Sequence, residues 1–328
     1  MCGICGILQF SSRPVEENLI RKMCDKFSYR GPDDESFFFD RHKNNRCDVS
    51  IGLGHKRLSI IDLSQAGRQP MSNEDGSIFI TYNGEIYNYK VLKAELEKKG
   101  HVFKSDTDTE VIIHLYEEEG TDAVKRLNGM FAFAIWDKNL SRLWVCRDRL
   151  GIKPLVYYHN NSKFSFASEI KALLEDSEVS KELDYESLNL YLSFSYIPAP
   201  YTIFKGIKKL EPGHFLVIEN RSLKIEKYWD VQQAEDQNIH KLPFKKQVEF
   251  YKERLYKSME TAVHDRMIAD VPLGAFLSGG IDSSIVERFC SLCLNDCSFC
   301  FCSINLPILS ETPNSRFFSS FKKALSSE

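Results

Sequence analysis

The middle of the chain constrains its fold most. Two helical segments, Tyr89 to Lys99 stopped by Gly100 and Thr109 to Glu119 stopped by Gly120, precede four short β-like runs at close spacing. These runs are FAFAIW (131–136), LWVCR (143–147), LVYY (155–158) and KFSFAS (163–168). SIFITY (77–82) reads as a strand ahead of the helices, with Asn83-Gly84 as a turn directly after it. Leu19, Ile20, Met23 and Phe27 recur at helical spacing and stop before Arg30-Gly31-Pro32-Asp33. Helices set within a strand-rich segment predict an α+β layered arrangement, not strict βαβ alternation.

A chain of 328 residues has room for two domains of roughly 150 residues each. Its 43 Lys+Arg against 46 Asp+Glu leave a net charge of -3, so no global basic field exists to hold nucleic acid or an anionic membrane. The start, MCGICGILQFSSRP, lacks a basic segment ahead of its short apolar stretch, so no secretory signal is read and a cytoplasmic location is expected. There Cys2, Cys5, Cys24, Cys47 and Cys146 are expected as reduced thiols. Residues 191–245, proline-bearing and polar, read as a connector. A second domain is expected from residue 246, with Leu255, Met259 and Val263 on a helix, then a buried strand over 271–277.

Cys2 follows the initiator methionine directly. With Met1 removed, the chain begins with a thiol and a free α-amine on one residue. An α-amine has a pKa near ~8, so it can act as base to its own nucleophile without a histidine. Further sequence signals accompany it: RGPD at Arg30, HKRLSI at His55, NGEIYN at Asn83, the segment Ser105 to Glu110, and GMFAFA at Gly129.

With Cys2-Gly3-Ile4, this ordered set resembles the class II glutamine amidotransferases, which are N-terminal nucleophile hydrolases, over residues 2–190. The resemblance implies a four-layer αββα sandwich in which Cys2 attacks the glutamine δ-carbonyl. Asn83 and the backbone N–H of Gly84 match its oxyanion hole. Arg57 matches the residue that grips the α-carboxylate through two parallel charge-assisted bonds. Glu85 and Asp108 match the positions facing the α-ammonium, and Leu58 with the backbone around Ile60 completes the pocket. Each residue alone also fits a structural role. Asn-Gly is usually a turn, Arg57 fits a surface ion pair, and Asp108 before a helix fits an N-cap. The set in family order favours function.

Leu277-Ser278-Gly279-Gly280-Ile281-Asp282-Ser283-Ser284 lacks the lysine and spacing of a Walker A loop. After an apolar strand and opening a helix, it resembles the pyrophosphate loop of ATP pyrophosphatases, whose backbone N–H groups and hydroxyls meet phosphate and whose aspartate suits magnesium. A class II glutaminase followed by this loop resembles the glutamine-hydrolysing asparagine synthetases. The implied partners are glutamine, aspartate and ATP with Mg2+, and a homodimer is compatible.

The resemblance stops after Ile285-Val286, so the expected pieces are a synthetase start over 246–286 and a Ser/Phe/Cys-rich tail over 287–328. This pattern reads as a truncated or frame-shifted product whose α/β pyrophosphate-loop nucleotide domain is cut short. One strand and half a helix cannot bury their faces, so weak or absent ATP binding is expected. Cys290, Cys293, Cys297, Cys300 and Cys302 lack paired knuckles, and no stoichiometric zinc or other metal site is expected. The rival readings are a glutaminase uncoupled from ATP and an inactive subunit partner.

Overall fold

A computed structural model describes residues 1–11, 13–43, 48–232, 237–293 and 300–303. The chain divides into one unit of Met1–Gln247 with Ile268–Val271, and a second of Val248–Met267 with the residues from Pro272 on.

The strands of the first unit run in chain order as β1 (Gly3–Gln9), β2 (Asp34–Lys43), β3 (Asp48–Arg57), β4 (Met71–Ser72), β5 (Ile78–Ile86) and β6 (Gly129–Asp137). Then come β7 (Arg142–Arg147), β8 (Val156–His159), β9 (Lys163–Ala167), β10 (Ile207–Lys209), β11 (His214–Glu219) and β12 (Ser222–Lys227). Its helices are α1 (Glu17–Asp25), α2 (Tyr89–Lys98), α3 (Thr109–Glu119), α4 (Ile170–Leu173), α5 (Tyr185–Phe194) and α6 (Gln237–His240). One sheet has the order β10-β8-β9-β1-β3-β2 and the other β12-β11-β7-β6-β5-β4.

Side-chain alternation along β6 explains the layering. Phe131, Phe133 and Ile135 pack with α2 and α3, whereas Ala132, Ala134 and Trp136 face Ile4, Leu8, Ile51, Leu53, Phe164 and Phe166 of the other sheet. On β1, Cys5 and Ile7 turn the opposite way, into a third cluster with Ile20, Met23 and Cys24 of α1 and Ala172 and Leu173 of α4. The result is helix, sheet, sheet, helix, the four layers expected.

Two expectations for this unit need correction. Asn83-Gly84 is not a turn: both lie inside β5, opposite Ala132 and Phe131. The connector of 191–245 contains β10, β11 and β12, which pair with β8 and β7 and so complete both sheets. Strands β1, β2 and β3 went unread, because glycines interrupt two of them. Gly54 is required there, since a Cβ on it would lie 2.5 Å from Cys24 Sγ.

In the second unit, α7 (Phe244–Asp265) contributes most of its length, followed by β13 (Gly274–Leu277), α8 (Ile281–Cys293) and β14 (Cys300–Ser303), which is parallel to β13. Tyr256 meets the buried Phe289 edge-on at 4.9 Å between ring centres. The expected buried strand is instead open, with Phe276 74% exposed. A parallel strand is buried when helices cover both its faces, and among the described residues nothing covers that side chain. Cys290 is buried on α8. Cys47, Cys297, the side chains of Cys293, Cys300 and Cys302, and the tail beyond Ser303 lie outside the described residues, and with them the question of a thiolate metal site.

Candidate functional site

Cys2 sits immediately before β1, an interior strand, so its position is fixed by the ladders to β3 and β9. Arg30 Nε donates to the Cys2 carbonyl at 3.1 Å. The Leu58 N–H points at Cys2 Sγ from 3.4 Å, and Sγ lies 3.7 Å from the Leu58 carbonyl. Burial pushes the thiol up from its ordinary value, opposed by that Leu58 contact. The thiol therefore needs a base. In the full chain the Cys2 nitrogen is locked in the peptide bond to Met1, whose own amine is pushed down by burial.

A cavity of about 130 Å³ opens beside the sulfur. Cys2, Arg57, Leu58, Ile60, Asn83, Gly84, Glu85 and Asp108 all line it, so the glutamine-site residues expected from sequence meet around one space. The structural alternatives for three of them do not hold. Arg57, only 6% exposed, has no ion pair among the described residues. Its guanidinium donates to the carbonyls of Ser64 (2.8 Å), Ile61 (3.4 Å) and Asp62. Asp108 precedes α3 but its side chain caps nothing. Its Oδ2 instead accepts from Tyr82 Oη at 2.6 Å and from the Ile86 N–H at 2.8 Å. Burial raises the Asp108 pKa, and those two donors oppose the rise.

Asn83 is the third. It is buried, yet neither its Oδ1 nor its Nδ2 has a hydrogen-bond partner. Orphaned buried amides are costly and call for an explanation, and a donor held ready for a ligand oxygen is one. Gly84 is required by close approach: a Cβ there would lie 2.3 Å from the Met130 carbonyl oxygen. Ile60 contributes through its backbone loop, which Asp270 braces by donating its N–H to the Ile60 carbonyl (2.9 Å) and accepting from the Asp62 N–H (2.7 Å).

Sequence reasoning missed Lys153, Tyr82, Gln69 and Met130, which line the same cavity. Lys153 is buried, and burial lowers its pKa. It is held by the loop folded around Asp148, whose carboxylate accepts the N–H groups of Leu150, Ile152 and Lys153. The only signal for it was a lone lysine ahead of an apolar strand, which is weak.

In the second unit, Ser278, Gly279 and Gly280 join β13 to α8, as the strand–turn–helix reading requires. Gly279 has φ +79°, and no atom lies near where a Cβ would stand. Ser278 Oγ and Ser283 Oγ are 3.0 Å apart, and Ser283 and Ser284 both donate to the Gly280 carbonyl. Leu277 is partly buried and Asp282 exposed at the start of the helix.

The sandwich with a thiol before its interior strand has the fold of the N-terminal nucleophile hydrolases. A solved structure titled as the allosteric regulatory enzyme of purine biosynthesis superposes with a TM-score of 0.50 at 15% identity, covering 97% of this chain and 70% of that one. The sequence matches the glutamine amidotransferase domain over residues 1–229, and the chain belongs to that family. A second match, to asparagine synthase, covers residues 254–298 and so runs past Val286, the end of the resemblance expected from sequence. Among curated relatives, asparagine synthetase [glutamine-hydrolyzing] 1 of Bacillus subtilis is 40% identical over 87% of this chain and 43% of its own length. A Methanocaldococcus jannaschii protein provisionally named asparagine synthetase [glutamine-hydrolyzing] 2 is 43% identical over 87% of this chain and 56% of its own length. The chain thus spans about half the length of the curated relatives it matches. No helix among the described residues is long and apolar enough to cross a membrane.

Proposed function

We propose that, once Met1 is removed, this chain hydrolyses the side-chain amide of glutamine to glutamate and ammonia. The observation that carries the reading is that Cys2, the orphaned Asn83 amide, Arg57 and Asp108 line one cavity. The freed α-amine takes the Cys2 proton, and the sulfur attacks the δ-carbon. Asn83 Nδ2 and the Gly84 N–H receive the charge on the former carbonyl oxygen. The C–N bond then breaks, ammonia leaves with the proton from the amine, and water hydrolyses the thioester to glutamate. Arg57 and Asp108, with Glu85, suit the two charged ends of an α-amino acid.

We further propose that the ammonia serves amidation of aspartate, as the names of the relatives suggest. The Ser278 to Ser284 turn carries groups that suit a pyrophosphate: N–H groups at a helix start, a glycine open to close approach, and three hydroxyls that bond within the turn and would re-aim to a ligand. Asp282 is an oxygen ligand suited to Mg2+. Bound ATP would supply activation of a carboxylate.

One paired assay tests both readings. Glutamate release from glutamine is measured for the parent and for Cys2→Ala, and asparagine is measured after adding aspartate and Mg-ATP. Release that falls by far more than about tenfold in the variant supports the hydrolase. Residual hydrolysis within that range refutes it. Asparagine formation supports the coupled reaction, whereas glutamate alone supports the uncoupled hydrolase.

A further inference from the structure

On the outer helical layer of the first unit, Glu74, His101 and His114 present ligand atoms that all lie within 4.8 Å of one another. Glu117, one turn after His114 on α3, joins them. Its Oε2 is 2.7 Å from His114 Nδ1 and 3.7 Å from His101 Nδ1, and Glu74 Oε2 is 3.9 Å from His114 Nδ1. We propose that these four residues form a binding site for one divalent ion of the zinc class. A tetrahedral zinc with bonds of ~2.0–2.1 Å has ligand–ligand edges of about 3.3 Å; the 3.7 and 3.9 Å separations lie a few tenths of an ångström above that value, and the 2.7 Å contact is a His114–Glu117 hydrogen bond that the ion would replace. Two imidazoles and two carboxylates suit zinc better than the all-oxygen sets of calcium and magnesium.

The surroundings supply a second, independent reason. Metal-bound histidines turn their other ring nitrogen to a carboxylate or carbonyl. With Nδ1 facing the site, His101 Nε2 lies 3.2 Å from Glu118 Oε1, and His114 Nε2 faces Glu110 Oε1 at 3.8 Å. His114 is buried, and its Nε2 makes no hydrogen bond. Glu110 is itself fixed by the N–H groups of Lys104 and Ser105, and the other oxygen of Glu117 accepts from Asn73 Nδ2 at 2.8 Å. Positions 74, 101 and 114 share no linear motif, so the sequence, from which no metal site is expected, carries no signal for this cluster.

The test is calorimetric titration of the metal-free full chain with Zn2+, repeated for His101→Ala and Glu74→Gln. Both substituted side chains are at least partly solvent-exposed, and the melting temperature of the metal-free variants checks their folding. One ion per chain, bound roughly tenfold or more weakly by each variant, is expected. Absence of binding to the parent overturns the assignment. So does zinc retained unchanged by both variants, because that ion sits elsewhere, on thiols for example. Co2+ in place of Zn2+ is expected to give ligand-field bands without thiolate charge transfer, and a thiolate band counts against the site.

Discussion

His55 Nε2 lies 3.1 Å from the Tyr82 carbonyl, a buried hydrogen bond that ties β3 of one sheet to β5 of the other. A carbonyl only accepts, so Nε2 carries the proton and donates. Arg57 stands two residues beyond His55, and Asn83 follows Tyr82 directly, so this bond joins the two strands that bring Arg57 and Asn83 to the cavity.

Burial pushes the His55 imidazole down to about 3. An unfolded histidine titrates near ~6.5, so between those values the unfolded chain holds a proton that the native chain refuses. Stability therefore rises with pH across that window: this contribution is complete above about pH 6.5 and is lost as the pH falls toward 3. The slope attributable to His55 approaches ~1.4 kcal/mol per pH unit at most. Urea unfolding at a series of pH values checks this, with His55→Gln, whose amide can still donate to Tyr82, as the comparison. The Gln variant is expected to lose stability less steeply on acidification. Equal slopes would mean that His55 is not the titrating group.

In the second sheet β5, β6 and β7 were readable because each carries a dense apolar run, FAFAIW and LWVC being unbroken, and the helices because Gly100 and Gly120 mark their ends. In the first sheet β8 and β9 were readable, whereas β1 and β3 were hidden by the glycines that let them pack. Local propensity counts Gly6 against a strand, but a Cβ there would lie 2.5 Å from the Phe166 ring, at the contact between sheets. Asn83-Gly84 failed for a related reason: the pair has turn chemistry, while the close Met130 carbonyl demands glycine within an unbroken ladder. Cys2, Arg57 and Asp108 were legible through family order. Lys153 was not, because its burial depends on a loop folded around Asp148, which no local pattern records.

Asn83→Ala is expected to separate stability from turnover. The amide has no protein partner, so removing it forfeits no hydrogen bond, and stability should stay within about 1 kcal/mol of the parent or rise. Loss of one oxyanion donor lowers kcat by about 10²–10³. Thermal unfolding with steady-state glutaminase kinetics reads both. A variant with parental kcat would remove Asn83 from the oxyanion role.

Gly67→Ala tests Arg57 without touching it. A Cβ at Gly67 would stand 2.0 Å from Arg57 Nη2, and the guanidinium, already fixed by three carbonyls, has to leave its position. Losing a charge-assisted contact of 1.5–3 kcal/mol corresponds to a rise of roughly 10–100-fold in the KM for glutamine, with a smaller effect on kcat. An unchanged KM with normal folding would show that the guanidinium does not hold the substrate.

Asp108→Asn is the sharpest test of how the amino-acid end is recognised. Both donors to Asp108 fall on a single oxygen, Oδ2, and the amide oxygen of asparagine can accept from Tyr82 Oη and the Ile86 N–H in the same way. The fold is therefore expected to survive, since the substitution keeps shape and both bonds while removing the charge. What disappears is the attraction for an ammonium group in a buried setting, where such a pair is little screened. A rise in KM for glutamine of about tenfold or more, with kcat within a few-fold of the parent, is expected from a contact equally strong in ground and transition states. Parental KM in a folded variant would leave the Asp108 carboxylate a brace for Tyr82 and Ile86 and shift ammonium recognition to Glu85.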